Sequence, residues 1–227
     1  MFRSFLREQT EPEVFYRDLA RDTIQTLTEH GPISGRTVID VGAGPVQFAD
    51  EFSRAGARYV GLDVDVHTVS STEQSAAVVG VGQALPFADA SADIVMSSNV
   101  MEHVREPAVV GREMIRVTRP GGLVMISYTA WYSPWGGHET SPWHYLGGGY
   151  AARRYERREG KPPKNVFGES MYAAHVGEGL KWGRTQPDAE LLLAVPRYHP
   201  DWATGIVHVP VLRELASWNL LMVLRRR

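Results

Sequence analysis

The chain has no cysteine in its 227 residues, which excludes disulfides, thiolate metal sites and a cysteine nucleophile together. Any metal must be held by oxygen or imidazole. Long hydrophobic runs are missing too: no stretch approaches the roughly 18 apolar residues that span a bilayer. The opening Met-Phe-Arg-Ser-Phe-Leu-Arg-Glu lacks the apolar centre of a secretory signal. No membrane partner and a cytoplasmic location are therefore expected. Nor is there an excess of either charge. Lysine and arginine number 24 against 26 acidic residues, a formal charge of -2, so nothing calls for a nucleic acid or an anionic surface as partner. Internal repeats and low-complexity tracts are absent as well. The length fits one domain over residues 1–227.

What is present centres on Thr37 to Asp65, which begins Thr-Val-Ile-Asp-Val-Gly-Ala-Gly-Pro-Val and ends Tyr-Val-Gly-Leu-Asp-Val-Asp. It reads as strand, glycine turn, helix, strand. Thr37 to Val41 is a β-branched run suited to a buried strand. Gly42 and Gly44 permit backbone geometry and ligand approach that a Cβ would obstruct. Phe48, Ala49 and Phe52 predict a helix over Gln47 to Arg54, stopped by Gly56. Arg58 to Leu62 is a second strand. It ends at Asp63, about 20 residues after Gly42, the spacing at which an acidic side chain meets ribose hydroxyls.

On either side of this unit the pattern continues. Phe15, Leu19, Ala20, Ile24 and Leu27 share one side of a helix over residues 12–29. Tyr16 and Arg17 on that helix could reach the amino acid end of a cofactor if it acts as a lid. Further strands are predicted at 76–80, 94–97, 123–128, 190–195 and 218–224, with a helix over Glu106 to Thr118 ended by Arg119-Pro120-Gly121-Gly122. Strands alternating with helices imply a parallel sheet with right-handed crossovers. Asn99 to His103 then falls at the carboxyl end of a strand, where ligands bind in such sheets. Residues 129–170 break the rhythm with Trp131, Tyr132, Trp135, His138, Trp143, His144, Tyr145 and Tyr150, followed by a basic stretch. So long an aromatic segment reads as an ordered cover over the acceptor side of the site. Residues 170–186 are ambiguous, because Gly177, Gly179 and Gly183 weaken a helix.

Five segments stand in order: Val-Ile-Asp-Val-Gly-Ala-Gly at 38–44, Gly-Leu-Asp at 61–63, Ala-Leu-Pro-Phe at 84–87, Ser-Asn-Val-Met-Glu-His-Val at 98–104 and Arg-Pro-Gly-Gly at 119–122. Together they resemble the class I S-adenosylmethionine-dependent methyltransferases, in the small single-domain branch. The resemblance covers roughly residues 37–128. It implies an α/β fold, a Rossmann-like seven-stranded mostly parallel sheet with helices on both faces, the last strand antiparallel. It implies S-adenosylmethionine as cofactor. By position, Asp40, Gly42, Ala43 and Gly44 would face its methionine part and Asp63 its ribose. Val64, Ala84 and Phe87 would line the adenine, with Asn99 beside the sulfonium. Two positions depart from the pattern: Val46 replaces a third glycine, and Val81 or Gln83 stands where an acid near the adenine is common. Gln83 can still bond the adenine edge through its amide.

The chemistry then needs an acceptor held in line with the methyl group and, for a hydroxyl, a base. His138 and His144 are the candidates, His144 first because Trp143 and Tyr145 flank it. Asn99-Val-Met-Glu102-His103 also resembles the Glu-x-x-Glu-His motif through which some O-methyltransferases of this class hold a divalent cation. Glu102 and His103 are thus candidate ligands for Mg²⁺. A small hydroxylated metabolite, a sugar or a planar natural product, is the expected acceptor. The competing reading is a non-methylating protein that keeps the scaffold, motivated by Val46 and the missing acid.

Overall fold

A computed structural model describes residues 2–5, 10–45, 48–67 and 76–227. Its strands are β1 (Thr37–Val41), β2 (Arg58–Asp63), β3 (Ala76–Val79), β4 (Ala92–Ser98), β5 (Thr118–Thr129), β6 (Ala189–Pro196) and β7 (Asn219–Arg226). They form one seven-stranded sheet in the order β3-β2-β1-β4-β5-β7-β6. The first five run parallel, and β7 is antiparallel to both β5 and β6. Sequence order reverses between β1 and β4, which opens a crevice at their carboxyl ends.

The helices are α1 (Phe2–Phe5), α2 (Pro12–Thr28), α3 (Ala49–Arg54), α4 (Pro107–Val117), α5 (Gly148–Glu159), α6 (Val176–Arg184) and α7 (Leu212–Ala216). Two apolar layers follow from the period of two along each strand. Ile39, Val41, Val95, Val124 and Ile126 pack with Val110, Met114 and Ile115 of α4 and with Val176 and Leu180 of α6. Val38, Ile94, Met96, Leu123 and Met125 point the other way, onto Phe15 and Leu19 of α2 and Ala49 and Phe52 of α3. Helices thus cover both faces, as the resemblance implies. Among the described residues no helix is long and apolar enough to cross a membrane.

Differences from the sequence reading have local causes. β5 starts at Thr118 rather than Leu123, taking in the Arg-Pro-Gly-Gly run, and its register with β4 shifts between Ala92 and Ile94. A Cβ at Gly122 would lie 2.5 Å from the Asp93 carbonyl, so this glycine lets the two strands close. Helix α6 forms despite its glycines because packing overrides propensity. A side chain at Gly179 would run into the Tyr128 hydroxyl. Helix α5 occupies the basic stretch, with Arg153, Arg157 and Arg158 exposed and Arg154 stacked over the Trp143 ring at 3.9 Å. The helix expected from Gln47 is seen from Ala49; Gln47 and Val46 lie outside the described residues.

Candidate active site

At the end of β1 the chain turns through Gly42 and Gly44, both left-handed with φ of 81° and 55°, a region that costs other residues roughly 1–2 kcal/mol. The turn is anchored from below: the amides of Gly42 and Ala43 donate to the Leu62 carbonyl at 2.8 and 3.0 Å. A Cβ at Gly42 would come within 2.5 Å of Val100, whereas no described residue lies within 4 Å of one at Gly44. So the turn is tight on its sheet side and open above. Asp63, at the end of β2, accepts from the amides of Gly44 at 2.9 Å and Asp65 at 3.0 Å. It fixes the turn and still has lone pairs free on each oxygen.

Asp40 lies deeper. It is 4% exposed and sits on the α2–α3 face, where the Tyr59 hydroxyl donates to its Oδ2 at 2.5 Å. Burial pushes its carboxyl up to about 7, against the opposing effects of the Tyr59 bond and of Arg197. Its hydrogen bond is with Tyr59 beneath the turn, and the charges of Asp63 and Arg197 also act on it.

Beyond the turn, Val64 is 67% exposed, and Gln83 and Ala84 are exposed beside half-buried Phe87. Two side chains of α4 hold this loop. Glu113 accepts from the Leu85 amide, and Arg116 donates to the carbonyls of Leu85 and Phe87 and pairs with Asp89. Tyr16 and Arg17 line a cleft between α2 and α3 with Glu13, Arg21, Asp50, Glu51 and Arg54.

At the end of β4, Asn99 adopts φ 58°, a conformation asparagine tolerates better than most residues. Its amide donates to Tyr198 Oη at 3.3 Å and its carbonyl accepts from Asn219 at 2.7 Å. Next comes a short 3₁₀ helix, Met101–His103. Glu102 is only 2% exposed. Its Oε1 accepts from the Thr129 amide at 2.9 Å, and its Oε2 is buried without a partner. His103 places Nδ1 2.8 Å from the Ser170 carbonyl, so that nitrogen carries the proton and Nε2 is left as an acceptor.

Residues 129–175 bring His138 to this point, its ring stacked on that of His103 with centroids 5.1 Å apart. Its Nε2 is buried without a partner, and burial holds the imidazole neutral by lowering its pKa. Glu102, His103 and His138 each offer a ligand atom, all within 4.8 Å of one another. His144, favoured in sequence over His138, is placed otherwise. It is 1% exposed, with Nε2 3.2 Å from the Ser133 carbonyl and Nδ1 3.4 Å from Ser141 Oγ, and it packs edge-on to Trp131. It fills the inside of the insertion. Ser141 Oγ in turn accepts from the Gly137 amide at 3.1 Å, so His144 supports the loop that carries His138.

Arg197, Tyr198 and Asn219 carry no signal in the sequence. Arg197 is buried and joins Asp22, Thr23 and the Leu19 carbonyl of α2 to Ser98 of β4 and Ser127 of β5. Only the fold brings α2 and the strand ends together around a guanidinium; no local pattern announces it.

The strand order, the antiparallel β7, the open glycine turn and the acid after β2 define a class I methyltransferase fold, and these residues fit S-adenosylmethionine. No described residue obstructs the Gly44 position, the Asp63 carboxylate stands beside it and an exposed apolar edge at Val64 adjoins both. Comparisons with known proteins agree. Residues 39–126 match the methyltransferase domain family model. The chain is 46% identical over 242 residues to an uncharacterized methyltransferase of Mycobacteroides abscessus, covering all of this chain and 93% of that one. It is likewise 46% identical to an uncharacterized methyltransferase of Mycobacterium tuberculosis, covering 99% and 92%. An S-adenosylmethionine-dependent methyltransferase of Mesorhizobium loti has the same fold, with a TM-score of 0.62 and 18% identity over 90% of this chain and 98% of that one. The chain belongs to the S-adenosylmethionine-dependent methyltransferases of class I.

Proposed function

We propose that the chain methylates a hydroxyl of a small metabolite. The observation that carries this reading is the buried Glu102, with a free Oε2, set against His103 and His138 at the carboxyl end of β4. A hydroxyl becomes a good nucleophile only as its proton leaves, and a placed acceptor for that proton contributes about 10² to 10⁴-fold. His138, neutral and uncommitted at Nε2, can take it with Glu102 alongside; His144, with both nitrogens occupied, cannot do so without losing its packing role. S-adenosylmethionine supplies an electrophilic methyl group when bound. The residues of this chain do the positioning. Asp63 accepts from the ribose hydroxyls, Gly42 to Gly44 leave room for the methionine part, Val64, Ala84 and Phe87 flank the adenine with Gln83 at its edge, and Asn99 stands between cofactor and acceptor.

The insertion closes the acceptor side. Tyr132, Trp135, Trp143 and Tyr145 are each partly exposed, and such faces pack on a sugar ring or a planar aromatic alike. A sugar is favoured because Glu102, His103 and His138 offer polar groups to ring hydroxyls. Calorimetric titration with S-adenosylmethionine tests the cofactor half. Binding should weaken about 10- to 100-fold in Asp63→Ala, the worth of a charge-assisted hydrogen bond. Methyl transfer to a panel of sugars and phenols tests the rest. Turnover with amines alone, and with no hydroxylated acceptor, would overturn the O-methylation reading.

A further inference from the structure

We propose that Glu102, His103 and His138 form a binding site for a divalent transition metal, with one carboxylate and two imidazoles as its protein ligands. The inference deepens the O-methylation reading and rests on it for its role, though not for its existence. Three observations carry it. The three ligand atoms lie within 4.8 Å of one another. Glu102 is almost wholly buried with Oε2 unpaired, and His138 likewise buries an unpaired Nε2. An ionised group buried without a partner is costly, and an ion is one way to satisfy it.

The outer contacts are those a metal site needs. The Thr129 amide holds Glu102 through Oε1 and leaves Oε2 free. The Ser170 carbonyl fixes the proton of His103 on Nδ1 and frees Nε2. Such partners set the tautomer and orientation of a ligating histidine. His138 is aimed by its own loop: its amide donates to the Trp135 carbonyl at 2.8 Å, its carbonyl accepts from Ser141 at 3.1 Å, and its backbone is left-handed.

Donor chemistry selects the ion. Mg²⁺, the ion expected from the sequence motif, prefers carboxylate and water, and the residue at the first position of that motif is Asn99, already bonded to Tyr198 and Asn219. Two imidazoles and a carboxylate suit Mn²⁺, Fe²⁺, Co²⁺ or Zn²⁺ instead. Three protein ligands leave positions open, where an acceptor hydroxyl could bind and lose its proton more readily; with an ion bound, this acidification takes the place of proton uptake at His138 Nε2.

Co²⁺ is the probe of choice, since its visible absorption reports coordination without any turnover. The full chain, stripped with chelator, should take up one Co²⁺ and develop d–d bands. His138→Ala and Glu102→Gln should each weaken this by more than about 100-fold, beyond the usual cost of losing an outer contact. His208→Ala, an exposed histidine elsewhere, should leave it unchanged. Thermal melts of each variant report folding, and Glu102→Gln serves if His138→Ala does not fold. Absence of stoichiometric Co²⁺ binding, or equal binding in folded Glu102→Gln, would overturn the site. Titration of the same samples with S-adenosylmethionine keeps the outcomes apart: cofactor binding without Co²⁺ sinks the metal site alone.

Discussion

Two carboxylates near the ends of β4 are both buried, and they are treated in opposite ways. At the amino end Asp93 has every oxygen matched: Oδ1 with Arg36 at 2.9 Å, and Oδ2 with the Thr37 amide at 2.8 Å and Arg119 at 2.6 Å. At the carboxyl end Glu102 has one oxygen on the Thr129 amide and the other on nothing. A fully partnered buried carboxylate is what a structural tie looks like, and breaking it costs stability. A half-partnered one is retained against stability and points to work on a ligand. The sheet is fastened at one end and leaves a carboxylate oxygen without a partner at the other.

The sharpest way to break that contrast is to remove each charge in turn. Glu102→Gln keeps an oxygen for the Thr129 amide and deletes the unpaired charge. Methyl transfer should fall by about 10² to 10⁴-fold, while the denaturation midpoint stays the same or rises. A large loss of stability instead would make Glu102 structural after all. Asp93→Ala should do the reverse: about 2–3 kcal/mol lost in urea unfolding, since it orphans the Thr37 amide and two arginines, with turnover of the folded enzyme unchanged.

A third carboxylate sharpens the picture through pH. Asp40 has a folded-state value near 7, well above its ordinary value of 3.8. The folded state therefore holds this proton where the unfolded chain has released it. Its contribution is fully present below about pH 4 and is lost as pH rises through about 7. Melting temperatures measured from pH 5 to 8 should carry a declining component that Asp40→Asn abolishes. An identical slope in the variant would place the proton elsewhere.

How much of this was legible in the sequence follows from the range of each interaction. β1, the glycine turn and β2 were readable because β-branched runs, positive-φ glycines and the spacing to Asp63 are local facts. Asn99, Glu102 and His103 were readable as a group because they are adjacent. The pairing of His138 with them was not, since it depends on how residues 104–137 return across the end of the sheet. His144 drew attention through Trp143 and Tyr145 beside it; Tyr145 does pack on it, but Trp131, Ser133 and Gly137 enclose it as well. Helix α6 was obscured by its glycines, of which Gly179 makes room for the Tyr128 hydroxyl and Gly177 for Arg213, contacts no propensity scale contains. Arg197 shows the same limit: its partners lie on α2, β4 and β5.

The seam between the sheet and the insertion has one more consequence. Glu102 and His103 directly follow β4, whereas His138 arrives with residues 129–175, docked through the Tyr172 amide on the Glu102 carbonyl and the Ser170 carbonyl on His103 Nδ1. A molecule in which that segment has peeled away keeps its glycine turn and Asp63, and loses the third corner of the cluster. In the proposed reading, occupancy by the donor and competence toward the acceptor then rest on different segments of one chain.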